Sequence, residues 1–308
     1  MKFVQAEDTL SETAAKAGYD PVFTDRVIAA TGPNAHPRLK QIMPSLLHHL
    51  HDFAREVDLT VAEWMAGVEL INEAGRMSTD KRNETGLLCD VLGLESLVDE
   101  ISSSILLRSD PNVIATPSAI LGPFYRTDAP ELPHGSSIVN LPPDSEWYNE
   151  AAPLRAYVSG CVLSSRTGAP IANAVVDIWH AAPNGQYEQQ DDAQPDMNLR
   201  GRFRTDDEGR YRLYCLRPPA YPIPFDGPAG RLLQLLDRHP YRPAHLHFIV
   251  SAPGFRTLTT QVFDCEDKYV KSDAVFAVKK ELLVKFVERK GDEKASWELV
   301  YDFSLAEI

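Results

Sequence analysis

Two histidines stand one residue apart in the run AHLHFIVSA, residues 244–252, which is otherwise apolar. If this run is a β-strand, its side chains alternate between two faces, so His245 and His247 point the same way with Cβ atoms about 7 Å apart. Both imidazoles could then reach one metal ion. The alternative is a structural or exposed pair, in which a buried imidazole still needs partners for its nitrogen atoms.

Two tyrosines upstream could complete such a site. Tyr187 lies in the polar run AAPNGQYEQQD, and Tyr221 lies in the proline-rich run RPPAYPIPFDGP. A phenolate is a hard anionic ligand that suits a ferric ion, whereas imidazole accepts many transition metals. Two tyrosinates and two histidines would therefore favour Fe(III) over Fe(II). Taken singly, either tyrosine could be an ordinary packing or exposed residue, and spacing alone does not show that the four side chains converge.

The composition is that of a globular protein with an excess of negative charge. Of the 308 residues 44% are hydrophobic and 24% are charged, and the formal net charge is −13 with no basic stripe to offset it. Because such a chain repels a phosphate backbone, we expect no nucleic-acid partner. The four cysteines form no short pairing, which fits reduced thiols. With no secretory leader and no apolar run of roughly 20 residues, we expect a cytoplasmic protein.

From about residue 6 to residue 107 the apolar residues recur at helical spacing, as in HPRLKQIMPSLLHHLHDFAREV. Pro44 lies inside this pattern and should kink or divide the helix, because proline lacks an amide donor and its ring clashes with the preceding turn. Thr60 precedes Glu63 by three residues, which is typical of a capping box.

After residue 107 prolines and glycines become frequent and the apolar runs shorten to strand length. Two short helices interrupt them, one over 226–239 with Pro228 in its first turn and one over 272–280 capped by Ser272 or Asp273. The predicted fold class is α+β, with a helical domain over 1–107 and a mostly antiparallel β-sandwich over 108–308. We predict strands over 156–165, 174–181, 209–216, 244–252, 257–263, 282–289 and 297–304.

Five motifs make the chain resemble the intradiol ring-cleavage dioxygenases from about residue 40 onward. They are LGPFYRTDAP, DIWHAAPNGQYE, GRFRTDDEGRYRL, AYPIPFDGP and HPYRPAHLHFIVSAPGF. The resemblance implies one Fe(III) per subunit, held between the sheets of the sandwich. Its implied ligands are Tyr221 and His247 in axial positions and Tyr187 and His245 in equatorial positions.

The same resemblance implies roles for three polar side chains in the cleavage of a catechol-type diol by O₂. Tyr221 would accept a substrate proton as it leaves the metal. Arg242 would stabilise charge that develops on the substrate, although a lone arginine in an acidic chain could equally form an ion pair. Gln261 matches a second polar position near the iron.

The substrate branch depends on the pocket. YPIP and HPYRPAH look closer to hydroxyquinol 1,2-dioxygenases than to the bacterial catechol enzymes, which implies hydroxyquinol cleavage to maleylacetate, with catechol as the alternative substrate. Leu87 and Asp90 match pocket positions of that branch, where Asp90 could accept a hydrogen bond from the third ring hydroxyl. The alternative for Asp90 is a solvated residue at a helix end. The remaining implied walls are Ile120, Gly122, Pro123, Phe124, Ile223, Pro224 and Val275.

Two other classes of protein compete with this interpretation. One is an iron-free binding module, since a β-sandwich does not by itself define a function. The other is a zinc hydrolase, although no HExxH motif is present. We assign none of the other histidines to a metal: His180 and His239 are interpreted as structural, and His48, His49 and His51 as surface or dimer contacts. The apolar N-terminal helices predict a homodimer, whose interface in this family can also hold a lipid.

Overall fold

The computed structural model describes residues 19–110, 113–142 and 151–308. One compact unit ends at Val68, and a second runs from Glu69 to Ile308. Most of the first 35 residues, for which the sequence predicts only a possible dimer contact, fall outside the described ranges. None of the described helices is both long enough and apolar enough to span a bilayer.

Helices dominate the first unit, as the spacing predicts. They are α1 (Phe23–Ala29), α2 (Pro37–Glu56) and the first half of α3 (Val61–Met77). Helix α2 continues through Pro44, so of the two expected effects division of the helix does not occur, and a kink at this proline stays a prediction. The capping box is confirmed, because the Thr60 amide donates to Glu63 Oε2 at 2.9 Å and the Glu63 amide donates to Thr60 Oγ1 at 3.2 Å.

The second unit continues the helical pattern with α4 (Glu84–Val91) and α5 (Leu94–Ser109), and it adds α6 (Pro228–Leu235) between strands. Pro228 stands in the first turn of α6, as predicted. The buried carboxylate of Glu84 accepts a hydrogen bond from the Ala229 amide at 3.1 Å. Helix α4 is thereby tied to the start of α6.

Twelve described strands form two five-stranded sheets and one two-stranded ribbon. In the first sheet β10 pairs with β11, and β1 pairs with β11, β12 and β4. The second sheet has the order β3-β2-β7-β8-β9. The pairs β1–β11, β1–β12 and β8–β9 are parallel and the remaining pairs are antiparallel. The ribbon pairs β5 with β6. The strands are β1 (Arg155–Ser164), β2 (Val175–Trp179), β3 (Arg200–Arg204), β4 (Arg210–Leu216), β5 (Tyr221–Pro222), β6 (Tyr241–Arg242), β7 (His245–Ser251), β8 (Leu258–Asp264), β9 (Leu283–Val284), β10 (Val287–Glu288), β11 (Trp297–Val300) and β12 (Phe303–Leu305).

The two large sheets share one apolar core, so the α+β class with a β-sandwich is confirmed. Val158 and Leu213 of the first sheet and Phe248 and Val250 of the second belong to a single buried cluster. Since strand side chains alternate, the even-numbered residues of β7 point into this core. The odd-numbered His245 and His247 must point to the opposite face of the second sheet. The expectation that the metal lies between the sheets is therefore wrong.

Most of the predicted strands are present, with differences in their extent and number. The run 297–304 divides into β11 and β12, and 282–289 forms only the short β9 and β10. The sequence does not predict the two-residue strands β5 and β6, nor β3, whose run RGRFR has Phe203 as its only large apolar side chain. The helix predicted over 272–280 is wrong, since these residues form an irregular turn that ends in a short 3₁₀ turn at Lys280–Leu282.

Replacement of Gly160 by alanine tests how tightly the first sheet is assembled. A Cβ atom at this position in β1 would collide with the backbone oxygen of Tyr301, which lies between β11 and β12. We expect Gly160→Ala to lower the free energy of unfolding by about 3 kcal/mol, as overpacking against backbone does. Chemical denaturation followed by tryptophan fluorescence measures this change.

The matched control is Gly75→Ala. Gly75 is exposed in α3 and its added Cβ would have no neighbour within 4 Å. Alanine there should leave stability unchanged or raise it by up to about 1 kcal/mol. Equal midpoints for the two variants would contradict the predicted collision.

Candidate metal centre

Strand β7 brings two buried imidazoles together. The Nε2 atoms of His245 and His247 are 3.1 Å apart, and each side chain is 2% exposed. His247 lies opposite Trp179 of β2, and the two rings stack with centroids 4.7 Å apart and planes at 10°. The stack fixes the plane of the His247 ring.

Two tyrosines reach the same point from different parts of the chain. Tyr187 ends the loop that follows β2, and Tyr221 begins β5, where it pairs with Arg242 of β6. The Tyr187 hydroxyl oxygen lies 3.2 Å from that of Tyr221 and 3.0 Å from His247 Nε2. The four side chains that the sequence singles out therefore converge.

The spacing and chemistry of these four atoms fit a transition-metal ion. Donor atoms about 2 Å from one ion lie roughly 3 Å from each other, which matches the separations found here. His245 Nδ1 donates to the Pro243 carbonyl oxygen at 2.6 Å, so its Nε2 keeps the lone pair that a metal requires. Across the described ranges, no group of three or more His, Cys, Asp or Glu side chains is arranged to hold a metal, which distinguishes this site from a typical zinc centre.

Burial controls the protonation of the donors. It lowers the pKa of both imidazoles well below the ordinary value, with a further contribution from Arg242 at His245 and from His245 at His247. Both rings are therefore neutral and available as ligands. Burial, followed by the neighbouring Tyr221, raises the pKa of Tyr187 well above its ordinary value. A phenolate at Tyr187 thus requires a nearby cation.

Arg242 and Gln261 lie next to the imidazole pair. Arg242 Nη1 is 3.1 Å from His245 Nε2, and Nη2 donates to Gln261 Oε1 at 2.7 Å. Gln261 stands opposite His247 on β8 and donates through Nε2 to the Ile120 carbonyl oxygen at 2.7 Å. Arg242 also pairs with Asp273, at 3.2 Å between Nε and Oδ1, so the expected ion pair is present, and the role of this arginine towards a substrate stays a prediction.

A second buried arginine, which the sequence does not single out, supports Tyr187. The Arg200 guanidinium lies 5.7 Å from the Tyr187 ring centroid and donates to Glu188 Oε2 at 2.7 Å and to the Phe124 carbonyl oxygen at 2.7 Å. It stands opposite Trp179 on the neighbouring strand. Recognition of RGRFR as a strand would have placed Arg200 on the metal-facing side.

The segment that precedes Phe124 covers the histidines. Gly122 has a φ of +79°, and a Cβ atom there would lie 3.2 Å from His247 Cε1, so glycine allows the backbone to approach the ring. The Leu121 amide donates to Glu95 Oε1 at 2.8 Å. Phe124 packs on Tyr187 with ring centroids 4.9 Å apart.

The predicted pocket residues fall into two adjoining groups. Leu87, Ile120, Ile223 and Val275 belong to one buried cluster, whereas Phe124 belongs to the cluster that contains the two tyrosines. Three further wall residues, Gly122, Pro123 and Pro224, are half-buried.

Asp90 is buried in α4 and is only 1% exposed, so the alternative of a solvated helix end does not hold. Its Oδ1 atom has no hydrogen-bond partner among the described residues. Burial, and then a hydrogen bond with Glu95, raise the pKa of Asp90 to about 9. At neutral pH Asp90 is thus protonated and can donate one hydrogen bond as well as accept others.

The other histidines lie outside the four-donor cluster. His180 is buried with Nδ1 2.8 Å from the Ala181 carbonyl oxygen, and burial lowers its pKa to about 4. His239 Nδ1 accepts from the Tyr241 amide at 3.2 Å. His48, His49 and His51 lie on α2.

Comparison with known proteins agrees with this site. Residues 36–105 match the family model described as "Catechol dioxygenase N terminus" and residues 134–307 match the one described as "Dioxygenase". Catechol 1,2-dioxygenase of Candida albicans is 46% identical, covering 92% of this chain and 91% of that protein. Hydroxyquinol 1,2-dioxygenase of Rhizobium sp. is 41% identical, covering 92% and 94%. The crystal structure of hydroxyquinol 1,2-dioxygenase from Pseudomonas putida DLL-E4 superposes with a TM-score of 0.77 at 36% identity, covering 93% of this chain and 98% of that one.

The sheet, the helices and the matched sequence define a dioxygenase. More specifically, the chain belongs to the intradiol ring-cleavage dioxygenase family. It is therefore an enzyme, and the rival interpretations as an iron-free binding module and as a zinc hydrolase are set aside.

The raised pKa of Asp90 predicts how stability depends on pH. Between its ordinary pKa of 3.8 and about 9, folded Asp90 holds a proton that the unfolded chain has lost. Wild-type stability should therefore fall, relative to that of Asp90→Asn, as pH rises through this interval, by up to about 1.4 kcal/mol per pH unit. Thermal unfolding of both proteins from pH 5 to pH 8.5 measures the difference.

Asp80→Asn, which removes an exposed carboxyl, controls for the loss of a charge. A difference between wild type and Asp90→Asn that stays constant over this pH range would show that buried Asp90 is ionised.

Proposed function

We propose that Tyr187, Tyr221, His245 and His247 hold one Fe(III) per subunit. The observation that carries this proposal is the convergence of two phenol oxygens and two imidazole nitrogens at separations of 3.0–3.2 Å. When bound, the ferric ion would acidify the hydroxyls of a diol and make its ring reactive towards O₂. Two tyrosinates suit this hard, highly charged ion better than they suit Fe(II) or zinc.

The chain's own groups then have distinct roles around the substrate. Tyr221 accepts one proton from a substrate hydroxyl. Arg242 directs Nη1 at the donor cluster and stabilises negative charge on the substrate oxygens, because a guanidinium stays protonated when buried. Gln261 holds the opposite edge of that guanidinium through Nη2. The Gly122 backbone lies close to the His247 ring and narrows access to it.

The proposed substrate is hydroxyquinol, which gains both atoms of O₂ and yields 3-hydroxy-cis,cis-muconate, the tautomer of maleylacetate. The buried, unpartnered Oδ1 of Asp90 supports this choice. A third ring hydroxyl would give this carboxyl a partner, whereas catechol would leave it unpaired at a cost of about 1–3 kcal/mol. Leu87 lies one helical turn before Asp90 in α4 and belongs to the apolar wall.

Catechol is the alternative substrate, with cis,cis-muconate as product. The 46% identity to a catechol 1,2-dioxygenase favours it, against 41% for a hydroxyquinol enzyme. Overall identity averages over the whole chain, however, and a single pocket carboxyl is sufficient to discriminate between the two diols.

Replacement of Asp90 by alanine tests the substrate. For the wild type we expect a higher kcat/KM for hydroxyquinol than for catechol, and Asp90→Ala should reduce that ratio about tenfold, which corresponds to about 1.4 kcal/mol. Oxygen uptake with each diol, corrected for autoxidation of hydroxyquinol, measures both constants. Leu87→Ala is the control, because it widens the apolar wall without removing a polar partner. A wild type that prefers catechol would make catechol the assigned substrate. An equal loss of kcat/KM on both diols in Asp90→Ala would refute the contact between Asp90 and the third ring hydroxyl.

Replacement of the tyrosines tests the ferric site independently of turnover. Ferric tyrosinate absorbs visible light, so the purified wild type should be coloured. Tyr187→Phe and Tyr221→Phe should each weaken or shift the band. Tyr211→Phe should retain it, because Tyr211 is equally buried but its hydroxyl donates to the Tyr301 carbonyl oxygen. An unchanged band in both site variants, at wild-type iron content, would exclude the proposed ligands.

We also propose that the helical segment 1–107 forms a dimerisation domain. In support, α2 exposes apolar side chains at helical spacing, and such a stripe is typical of an interface. A lipid in that interface stays a prediction from the resemblance, and the domain boundary at residue 107 stays a prediction from the change in sequence pattern. The exposed apolar side chains of α2 are Leu39, Ile42, Leu46, Leu50 and Phe53.

A further inference from the structure

A buried carboxylate, Asp273, stands behind the arginine of the proposed site. Asp273 is 6% exposed and Arg242 is 3% exposed. Oδ1 accepts from Arg242 Nε at 3.2 Å, and Oδ2 lies 3.4 Å from Arg242 Nη2. A guanidinium this deeply buried needs such a partner, because an unpaired charge in a protein interior is strongly destabilising.

The ion pair also decides which edge of the guanidinium faces the donors. Asp273 and Gln261 occupy the Nε and Nη2 hydrogens, and the remaining terminal nitrogen, Nη1, points at His245 Nε2. Because the five N–H donors of arginine are fixed in one plane, holding Nε and Nη2 leaves a single orientation for Nη1. Burial by itself lowers the pKa of Arg242, but the charge of Asp273, the hydrogen bond to it and the nearby Tyr221 and Tyr187 together offset that effect, and the pKa is raised.

The same carboxylate shapes the turn that carries Val275. Oδ2 accepts from the Ala277 amide at 3.0 Å, and Oδ1 lies 3.4 Å from the Val275 amide nitrogen. The Asp273 carbonyl oxygen accepts from the Phe276 amide at 3.1 Å. Phe276 adopts a φ of 60°, a conformation that bulky side chains rarely take, so the turn depends on these bonds. It places Val275 in the buried cluster with Leu87, Ile120 and Ile223.

We propose that Asp273 is a positioning residue that couples the orientation of Arg242 to the position of Val275, and so sets both the turnover rate and the tolerance for ring substituents. This inference rests on the proposed function, since it assigns roles around the same ferric site. Asp273 does not contact the four donors. It acts through the arginine on one side and through the pocket wall on the other.

The conservative variant Asp273→Asn separates these effects from simple packing. Asparagine keeps the size but has one oxygen acceptor, so it cannot serve both Arg242 and the turn amides. It also leaves the guanidinium without a counter-charge beside a trivalent ion. We expect kcat per bound iron to fall about 10–100-fold, the usual effect of removing a group that orients a metal site, and iron retention in dialysis against a chelator to fall by a similar factor.

Asp264→Asn is the matched control. Asp264 is 3% exposed, accepts a hydrogen bond from Arg217 Nε at 2.7 Å and accepts one from the Glu266 amide at 3.1 Å. Like Asp273 it therefore pairs with an arginine and caps a turn, but it does so away from the four proposed metal ligands. Its loss should lower the unfolding midpoint. It should leave kcat per iron unchanged, and it should also preserve the relative kcat/KM for 4-methylcatechol and catechol. Asp273→Asn should change that ratio about tenfold, in the manner of Val275→Ala.

Several outcomes decide the proposal. Asp273→Asn with wild-type kcat per iron and a wild-type substrate ratio would overturn it, as would equal changes in Asp264→Asn. If Asp273→Asn does not fold, Asp273→Glu replaces it. The longer carboxylate keeps the charge but must displace either the Arg242 guanidinium or the turn. Iron retention should therefore stay normal, while the relative kcat/KM for 4-methylcatechol and catechol should shift. An unchanged ratio and rate in Asp273→Glu would again refute the coupling. Failure of the proposed function is recognised separately, because the wild type would then bind no iron or consume no oxygen with either diol.

Discussion

The alternation of side chains along β7 is the constraint on which the rest of the structure depends. Leu246, Phe248 and Val250 face the sandwich core, so His245 and His247 face away from it. A slip of one residue in the pairing of β7 would exchange the two sets and bury imidazoles among apolar side chains. The face of the sheet that carries the two histidines lies away from the sandwich core, and it becomes a buried site because other segments cover it. The loop that ends at Tyr187, the ribbon that begins at Tyr221 and the segment through Gly122 supply that cover.

Burial of the donors in turn requires the charges around them to be balanced. Arg200 and Arg242 are 2% and 3% exposed, and each has a buried carboxylate partner, Glu188 and Asp273 respectively. Arg200 also donates a hydrogen bond to the Phe124 carbonyl oxygen, and Arg242 donates one to Gln261. Each arginine thereby holds a neighbouring residue of the site in place. Buried ion pairs contribute little net stability compared with apolar packing. Their presence here is better explained by the orientation that they give to Tyr187 and to the donor edge of Arg242.

The sequence predicts local structure well and contacts between residues that are distant in the chain poorly. The shared face of His245 and His247 follows from strand alternation. The capping box at Thr60 follows from the spacing to Glu63, and the start of α6 follows from Pro228. The convergence of Tyr187 and Tyr221 on His247 could be inferred only from the family resemblance, because it depends on loops whose path no local pattern encodes. Strand β3 is not evident from the sequence, because Phe203 is its only large apolar side chain and no apolar run marks it. The helix predicted at 272–280 does not form, since Phe276 adopts a φ of 60°, which a right-handed helix excludes, and the carboxylate of Asp273 accepts from Arg242 as well as from the Ala277 amide.

The proposed metal ligands and the proposed contact for a third ring hydroxyl lie on different kinds of element. Both histidines and Tyr221 are held by backbone ladders, and Tyr187 by the loop between paired strands. Leu87 and Asp90, by contrast, lie on α4, which is not part of either sheet. A substitution on α4 can change which ring substituents fit without disturbing the spacing of the donors. The similar overall identities to a catechol and a hydroxyquinol enzyme are consistent with this arrangement, because one pocket residue barely changes identity over the whole chain.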